Sequence, residues 1–478
     1  MTLKRYGFAL PTIAVVFLCS CAHRPQGTPI LPVAVPENYT LTTGGEESPD
    51  RWWTAFQDED LNGLVREALT GNFGVQQARH RLEQVQAVAR RAGADRIPQL
   101  NIEGSAARSR FIRQDTTGMT VLQTGNQFGL SLAASYELDL WGRVGATKRA
   151  AALDAQTARD NLDTAVMTLV AQIADTWYLL ASLNSRLALL RGQLESSADQ
   201  VRLLELRFDT GQATALDVLQ QREQLAGLRT LEPRLEAALA TSRHQLAVLL
   251  GRPPGVTEGF DSSGLPALPA LPDTGLPADL LAKRPDVRAA LNAVRAENER
   301  AAAALANRLP ALRLTASAGY SAPDAADLFD NWLWNIAGNL LAPVLDGGRR
   351  RAEVERSRAV ARERLARCGE VFLNAMREVE DALVNESKQS ELIARQAEQH
   401  DVARQALKQA RFRYERGLSD YLPVLTALGR EQSVARDLVT ARRDYLSYRI
   451  QLYRALGGNW MQSELDEAAL NESENTSE

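Results

Sequence analysis

Apolar residues recur at steps of three and four from Leu162 through Val166, Leu169, Ile173, Trp177, Leu180, Leu183, Leu187, Leu190, Leu194, Ala198, Val201 and Leu204 to Phe208. The mean step is about 3.5 residues, the period of a coiled-coil seam, so this segment is predicted to be one long helix packed against others. Bounded by Arg143 and Thr210, with Gly145 and Gly192 its only glycines, it would hold about 67 residues and reach roughly 100 Å. A second such stretch, Arg349 to Arg416, carries Phe372, Met376, Val379 and Leu383 on one stripe and has Gly369 as its one glycine. A return helix is predicted after each. The first runs roughly from Thr214 to Leu250, where Pro233 should kink or break it. The other runs from Ser419 to Leu456, with Leu438, Ala441, Tyr445, Tyr448 and Leu452 as its stripe.

Elsewhere the period changes to two. Phe128, Leu130, Leu132, Ala134, Tyr136 and Leu138 alternate with Gly129, Ser131, Ala133, Ser135, Glu137 and Asp139. Alternation of this length, with an aromatic near each end, fits a membrane strand of about 9 to 11 residues with lipid on one side and water on the other. An amphipathic strand of a soluble sheet would read the same way. Trp334, Ile336, Gly338, Leu340, Ala342 and Val344 repeat the pattern more weakly, and shorter partners precede each: Leu100, Ile102, Gly104, Ala106 and Leu312, Leu314, Ala316, Ala318. Two hairpins, about 97–140 and 309–346, make four strands, too few to close a barrel. An open sheet edge is not tolerated in lipid, so each chain is expected to share its barrel with copies of itself.

The layout occurs twice. Leu206 to Gly211 is answered by Arg413 to Gly417, Val218-Leu219 by Val424-Leu425, and Trp141-Gly142-Arg143 by Gly347-Gly348-Arg349, at an offset of about 206 residues. Val75 and Ile97-Pro98 match Val287 and Leu309-Pro310 at about 212. A unit this long is a duplicated half-protein and favours pseudo-symmetric architecture around an axis. The first repeat is placed at 61–275, with its helical hairpin at 143–250. The second is at 276–458, with its hairpin at 349–457, and a polar tail at 459–478 follows.

Composition agrees with long helices: 478 residues, only 6% aromatic. A net charge of −4, with no basic stripe interleaved with aromatics, excludes a nucleic-acid footprint. At the N-terminus Lys4 and Arg5 precede an apolar stretch, Phe8 to Leu18, too short to anchor in a bilayer. Leu18-Cys19-Ser20-Cys21 follows, and it resembles a bacterial lipobox. Residues 1–20 then form a signal peptide, Cys21 carries the lipid, and 21–60, with Pro25, Pro29, Pro32 and Pro36, reads as a lipid-anchored tether. Acylation of Cys21 leaves Cys368, expected to be a buried packing residue, with no disulfide partner.

Further residues carry a family resemblance: Trp52-Trp53 to Phe56, Asp58 to Leu64 with Ala68-Leu69, Arg284-Pro285-Asp286-Val287, the twin Gly211 and Gly417 turns, and Tyr453-Arg454-Ala455-Leu456-Gly457-Gly458. In their order and spacing these resemble the TolC-like outer membrane efflux proteins, in particular their OprM-like lipoprotein branch, from about Cys21 to Trp460. The resemblance implies a mostly α protein with a transmembrane β part. Four strands per chain form a twelve-stranded barrel in a homotrimer, continuous with a long periplasmic α-helical barrel of coiled-coil hairpins. It also implies the channel of a tripartite efflux system, a passive exit duct for drugs or other small molecules. The partners would be a periplasmic adaptor, an inner-membrane transporter of the RND type, and outer membrane lipid. The exit channel of a type I protein-secretion system has the same architecture, and a poreless coiled-coil scaffold is a third reading.

No zinc spacing, nucleophile elbow or phosphate loop is present, and the four histidines (23, 80, 244, 400) lie far apart, so neither enzyme activity, cofactor nor metal is expected. Function then rests on a gate, where helical hairpins converge and rings of symmetry-related side chains act on solutes. Thr210, Gly211, Arg416 and Gly417 are the candidates for the periplasmic tip and adaptor contact. Asp217, Asp420, Leu422 and Thr426 are the gate candidates. In OprM-like relatives an apolar ring and an Asp ring four residues later accompany closure; Leu422 matches the first, but Thr426 stands at the Asp position. Asp217 or Asp420 would replace that carboxylate, unless each serves only its own helix start.

Overall fold

The computed structural model describes residues 32–41, 51–114, 118, 120–257, 259–260 and 264–458. Cys21, the signal peptide and the tail 459–478 lie outside the described residues. The element order is α1 (Glu59–Gly71), α2 (Phe73–Ala94), β1 (Gln99–Gln114), β2 (Thr120–Leu138), α3 (Arg143–Asp209), α4 (Ala215–Arg229), α5 (Leu231–Leu249), a four-residue α6 (Leu280–Lys283), α7 (Pro285–Ala306), β3 (Ala311–Ala322), β4 (Trp332–Leu341), α8 (Arg349–Glu415) and α9 (Leu422–Leu456). The duplication is visible in the lengths: α3 and α8 are each 67 residues without a break.

The two repeats differ at the return helix. Pro233 lacks the amide that would bond the Arg229 carbonyl, and its ring would collide with that carbonyl in a continuous helix. The chain responds by ending α4 at Arg229 and restarting as α5 at Leu231. Val439 stands at the corresponding place in α9, which runs unbroken for 35 residues.

Contacts group the chain into two compact units. One contains Val88–Leu153 and Val294–Glu363; the other contains, of the described residues, those of 32–87, Asp154–Ala293 and 364–458.

The first unit holds a four-stranded antiparallel sheet in the order β1-β2-β3-β4. Its register aligns the apolar positions of every strand into rows on one face: Leu100–Ala134–Ala316–Ile336, Ile102–Leu132–Ala318–Trp334 and Gly104–Leu130–Tyr320–Trp332. The opposite face carries Asn101, Ser131, Ser135, Thr315, Ser317, Asn335 and Asn339. Trp334 and Ile336 are exposed in the single chain, at 64% and 71%. Among the described residues no strand pairs with the outer edge of β1 or of β4. β1 and β2, at 16 and 19 residues, exceed the length a bilayer needs, because their hairpin continues beyond the last β2–β3 pair, Phe128–Ala322. Tight backbone approach fixes the sheet at Gly319, where a Cβ would come within 2.3 Å of the Leu130 carbonyl oxygen. Trp141 closes the strand-to-helix corner by donating from Nε1 to the Pro310 carbonyl at 2.6 Å.

The second unit is helical and centred on α3. Leu162, Val166, Leu169, Ile173, Trp177, Leu180, Leu183, Leu187 and Leu190 are buried, as the seam predicts. One stretch of α3 is apolar enough to match a membrane helix by composition, but 78% of it is buried by its own neighbours. Trp52 and Phe56 dock on this core: Trp52 stacks on Tyr453 at 5.4 Å and Phe56 packs on Tyr178 at 5.4 Å. Asp58 both caps α1, accepting from the Leu61 amide, and accepts from Trp177 Nε1 at 2.8 Å. Cys368 is fully buried, as expected, beside Phe372 on the α8 stripe.

Buried charge is paired. Arg284, 4% exposed, bonds Asp286, Glu378 and the Ala455 carbonyl, so the Arg284-Pro285-Asp286 segment holds the end of α9. Arg449 and Glu386 form a pair with each side chain 3% exposed. Asp160 and Asp163 both accept from Arg288, at 2.9 and 3.0 Å. Burial pushes the Asp163 carboxyl up to about 6, against the opposing pull of Arg288 and with a further push from Asp160.

Candidate functional site

The turns after α3 and α8 are built alike. Gly211 has φ 74° and Gly417 φ 68°, the left-handed region that favours a residue without Cβ. The Gln212 amide donates to the Arg207 carbonyl at 2.7 Å and the Gly211 amide to Phe208 at 2.9 Å. The second turn repeats this, Leu418 to Arg413 at 2.9 Å and Gly417 to Tyr414 at 3.0 Å. Both are Schellman caps, which satisfy the last helix carbonyls. A Cβ on either glycine would meet nothing within 4 Å, so conformation rather than crowding demands glycine. Thr210 donates from Oγ1 to the Leu206 and Arg207 carbonyls at 3.1 and 3.0 Å. Arg416 is exposed, with its guanidinium 4.9 Å from the Phe412 ring centre.

The gate candidates lie just past these caps. Thr214 and Asp217 form a capping box: the Asp217 amide donates to Thr214 Oγ1 at 3.2 Å, and the Asp217 carboxylate accepts from the Thr214 amide at 2.9 Å. The Asp217 carboxylate is thus engaged at its own helix start. Asp420 is exposed in the loop before α9. Leu422 opens α9 at 54% exposure, and Pro423 occupies the first turn, where its missing amide costs nothing. Thr426 is exposed and donates from Oγ1 to the Leu422 carbonyl at 2.9 Å, bringing no charge to its position.

Between the two turns lies a residue that apolar periodicity does not single out. Tyr421 is 4% exposed and donates from Oη to Gln221 Oε1 at 2.7 Å, joining the start of α9 to α4. Burial pushes its hydroxyl up to about 12, so it remains a donor at any ordinary pH. Its ring meets Tyr414 edge-on at 5.2 Å, and the Arg207 guanidinium sits 5.2 Å from the Tyr414 ring centre. Leu204, Val218, Leu407, Val424 and Leu428 close a small apolar core around it.

Behind this core the seam turns polar. Leu194 and Ala198, expected in the seam, are only half-buried; Gln193 and Ser197 take the buried positions. The Gln193 side-chain amide donates to the Gln432 carbonyl at 3.2 Å, Gln221 to the Ser197 carbonyl at 3.4 Å, and Gln432 to Ser197 Oγ at 3.5 Å. Arg436 donates to Gln193 Oε1 at 2.5 Å. A buried polar network is stable only while all its members are paired, so it fixes one register of α3, α4 and α9. Among the described residues no cluster of His, Cys, Asp and Glu is placed to hold a metal; His80 contacts Glu83 and His400 contacts Glu431, each at 3.2 Å.

The profile of the family described as outer membrane efflux protein matches residues 64–252 and 276–458, one stretch for each repeat. The chain belongs to the outer membrane efflux protein family. This efflux protein is 32% identical over 433 residues to the pyoverdine export outer membrane protein OpmQ of Pseudomonas aeruginosa, covering 88% of this chain and 90% of that one. It is 28% identical over 469 residues to the cation efflux system protein CusC of Escherichia coli, covering 95% and 99%. Among solved structures the outer-membrane channel OprN superposes with a TM-score of 0.86 at 27% identity, covering 92% of this chain and all of that one. The efflux protein is therefore the outer membrane channel of an efflux system, extending into the periplasm and working with an adaptor and an inner-membrane transporter. A poreless scaffold is set aside.

Proposed function

We propose that this efflux protein is a homotrimeric, passive exit duct for small molecules, carrying out no chemistry of its own and driven by an inner-membrane transporter of the RND type. The observation that carries this reading is the sheet: four strands, one face apolar as far as the Ala106–Phe128–Ala322 row, an opposite face rich in Ser, Thr and Asn, and two edges left unpaired among the described residues. Each unpaired backbone group in lipid costs several kcal/mol, and the ten residues of β4 alone would leave a row of them. Three copies, joining β4 of one to β1 of the next, close twelve strands with the polar face around water.

Cys21 anchors the chain through an acyl group to the outer membrane. Thr210, Gly211, Arg416 and Gly417 form the surface offered to the adaptor, since the two caps repeat one geometry around the ring. Leu422 supplies the apolar constriction. Thr426 leaves the aperture without the carboxylate of OprM-like relatives, and Asp420, whose side chain is exposed, is the better placed acidic substitute than Asp217, whose carboxylate already caps α4. The relatives named for pyoverdine and for cations support small cargo over protein secretion, and a wide passive duct leaves the choice of cargo to the transporter.

Reconstitution of purified protein in planar bilayers tests the duct, with a susceptibility panel on a gene deletion testing the cargo class. Trimers of stepwise conductance and heightened drug sensitivity are expected. Protein that stays monomeric in mild detergent would end the proposal.

A further inference from the structure

The apolar face of the sheet passes into a charged one without leaving the same strands. Its last fully apolar row is Ala106–Phe128–Ala322, next to the aromatic cluster of Tyr320, Trp332 and Trp334. Beyond it only β1 and β2 continue, and the next positions on the same face are Arg108 opposite Asn126, Arg110 opposite Thr124, and then Ile112 opposite Leu122. Both arginines are exposed. Their cross-strand neighbours carry no charge to balance them, and β3 has ended. Each pair of residues advances a strand by about 7 Å, so the guanidinium groups start roughly 7 and 14 Å past the Phe128 row.

In a membrane barrel an aromatic row marks the boundary between acyl chains and headgroups. The arginines lie one and two rows outside that boundary, on the face that meets lipid and not the lumen. The strand ends that connect to α2 and α3 are Gln99 and Leu138, at the opposite end of the hairpin from Gln114 and Thr120. With the helices in the periplasm, Arg108 and Arg110 therefore stand in the outer leaflet. Guanidinium is the side chain best matched to phosphate, binding it through paired donors. Asn126 and Thr124 add uncharged hydrogen-bonding groups suited to sugar hydroxyls.

We propose that Arg108 and Arg110, with Asn126 and Thr124 across the hairpin, form a docking surface for the phosphate and sugar headgroup of a phosphorylated glycolipid of the outer leaflet. The site rests on the barrel reading above and adds a specific lipid partner to it. A neighbouring subunit is the less suitable occupant, because subunits join along strand edges whereas these side chains project from the sheet face. The contact would also orient the part of the hairpin that no third strand supports.

Native mass spectrometry of the full-length trimer in mild detergent provides the test. The added probes are diphosphoryl lipid A and the same lipid after phosphatase treatment. Wild type is expected to retain the phosphorylated form in preference. Arg108→Gln/Arg110→Gln should weaken that retention by roughly 30-fold, as two lost arginine–headgroup attractions would. Arg108→Lys/Arg110→Lys, which keeps the charge, should recover most of it, and this pair decides the matter if the glutamine variant does not assemble. Equal retention of both lipids by wild type, unchanged retention in the glutamine variant, or a lysine variant no better than that variant would each overturn the inference. A trimer that conducts yet shows no preference for phosphate removes this inference alone; a wild-type chain that never assembles removes the duct reading with it.

Discussion

Replacing Tyr421 by Phe should loosen the closed arrangement of the turns without unfolding them. The substitution deletes one hydroxyl and keeps the ring, so the 5.2 Å contact with Tyr414 and the small apolar core remain. What is lost is the 2.7 Å bond to Gln221, a side chain with no exposure at all, whose Oε1 is then left buried and unpaired. Stranding such an acceptor costs about 1–3 kcal/mol. Any widening that draws the start of α9 away from α4 must break this bond in wild type, so the variant should shift the balance toward the separated form by roughly 5- to 150-fold. Single-channel recording in planar bilayers should show a larger open fraction, with the trimer unchanged on gel filtration. The pair Tyr421→Phe/Gln221→Leu, which removes donor and acceptor together, should recover part of the closed state. If both variants record like wild type, the bond does not hold the turns together and the reasoning fails.

Three further outcomes are expected. Gly417→Val should cost about 1–2 kcal/mol through left-handed strain alone, since its Cβ meets no neighbour; adaptor cross-linking should fall while the trimer persists, and loss of the trimer would instead show a folding role. Asp163, with its folded carboxyl raised by burial to about 6 from 3.8, favours the protonated form, so its contribution to stability is complete below 3.8 and lost as pH rises through 6; the melting temperature should drop as pH rises from 3.8 to about 6, and Asp163→Asn should flatten that drop. Cys21→Ser should abolish incorporation of labelled palmitate, and label that persists would move the acylation site elsewhere.

Most of the fold is readable from periodicity because its elements are long. A stripe that repeats over 67 residues averages out local ambiguity, and the predicted ends of α3 and α8 each fall within one residue of those observed. The β face was equally legible, since the alternating positions read from the sequence, Leu100 to Ala106, Phe128 to Leu138, Leu312 to Ala318 and Trp334 to Leu340, share one parity within each strand and the register aligns them. The turns were harder to read. Counting apolar residues chose Leu194 and Ala198 for the seam, one position from Gln193 and Ser197, because a step of three or four cannot tell adjacent helix faces apart when the buried residues are polar. Tyr421 lies in the tip segment that sequence singles out, but its role could not be read there: it precedes α9, belongs to no stripe, and depends on Gln221, two hundred positions away in sequence and adjacent only after folding. Asp217 illustrates the reverse, a residue whose sequence position was plain and whose carboxylate the fold has already committed to Thr214.

The interruption before Pro233 makes the two arms of one chain mechanically unlike. An intact rod of 35 residues bends only as a whole, whereas its counterpart, jointed at Thr230, can pivot there with little strain on the rest. Around a ring of three subunits, stiff and articulated arms would alternate, giving six similar tips but only threefold compliance. A force applied evenly at those tips would be answered unevenly, with the jointed arms yielding first and the rigid ones following together.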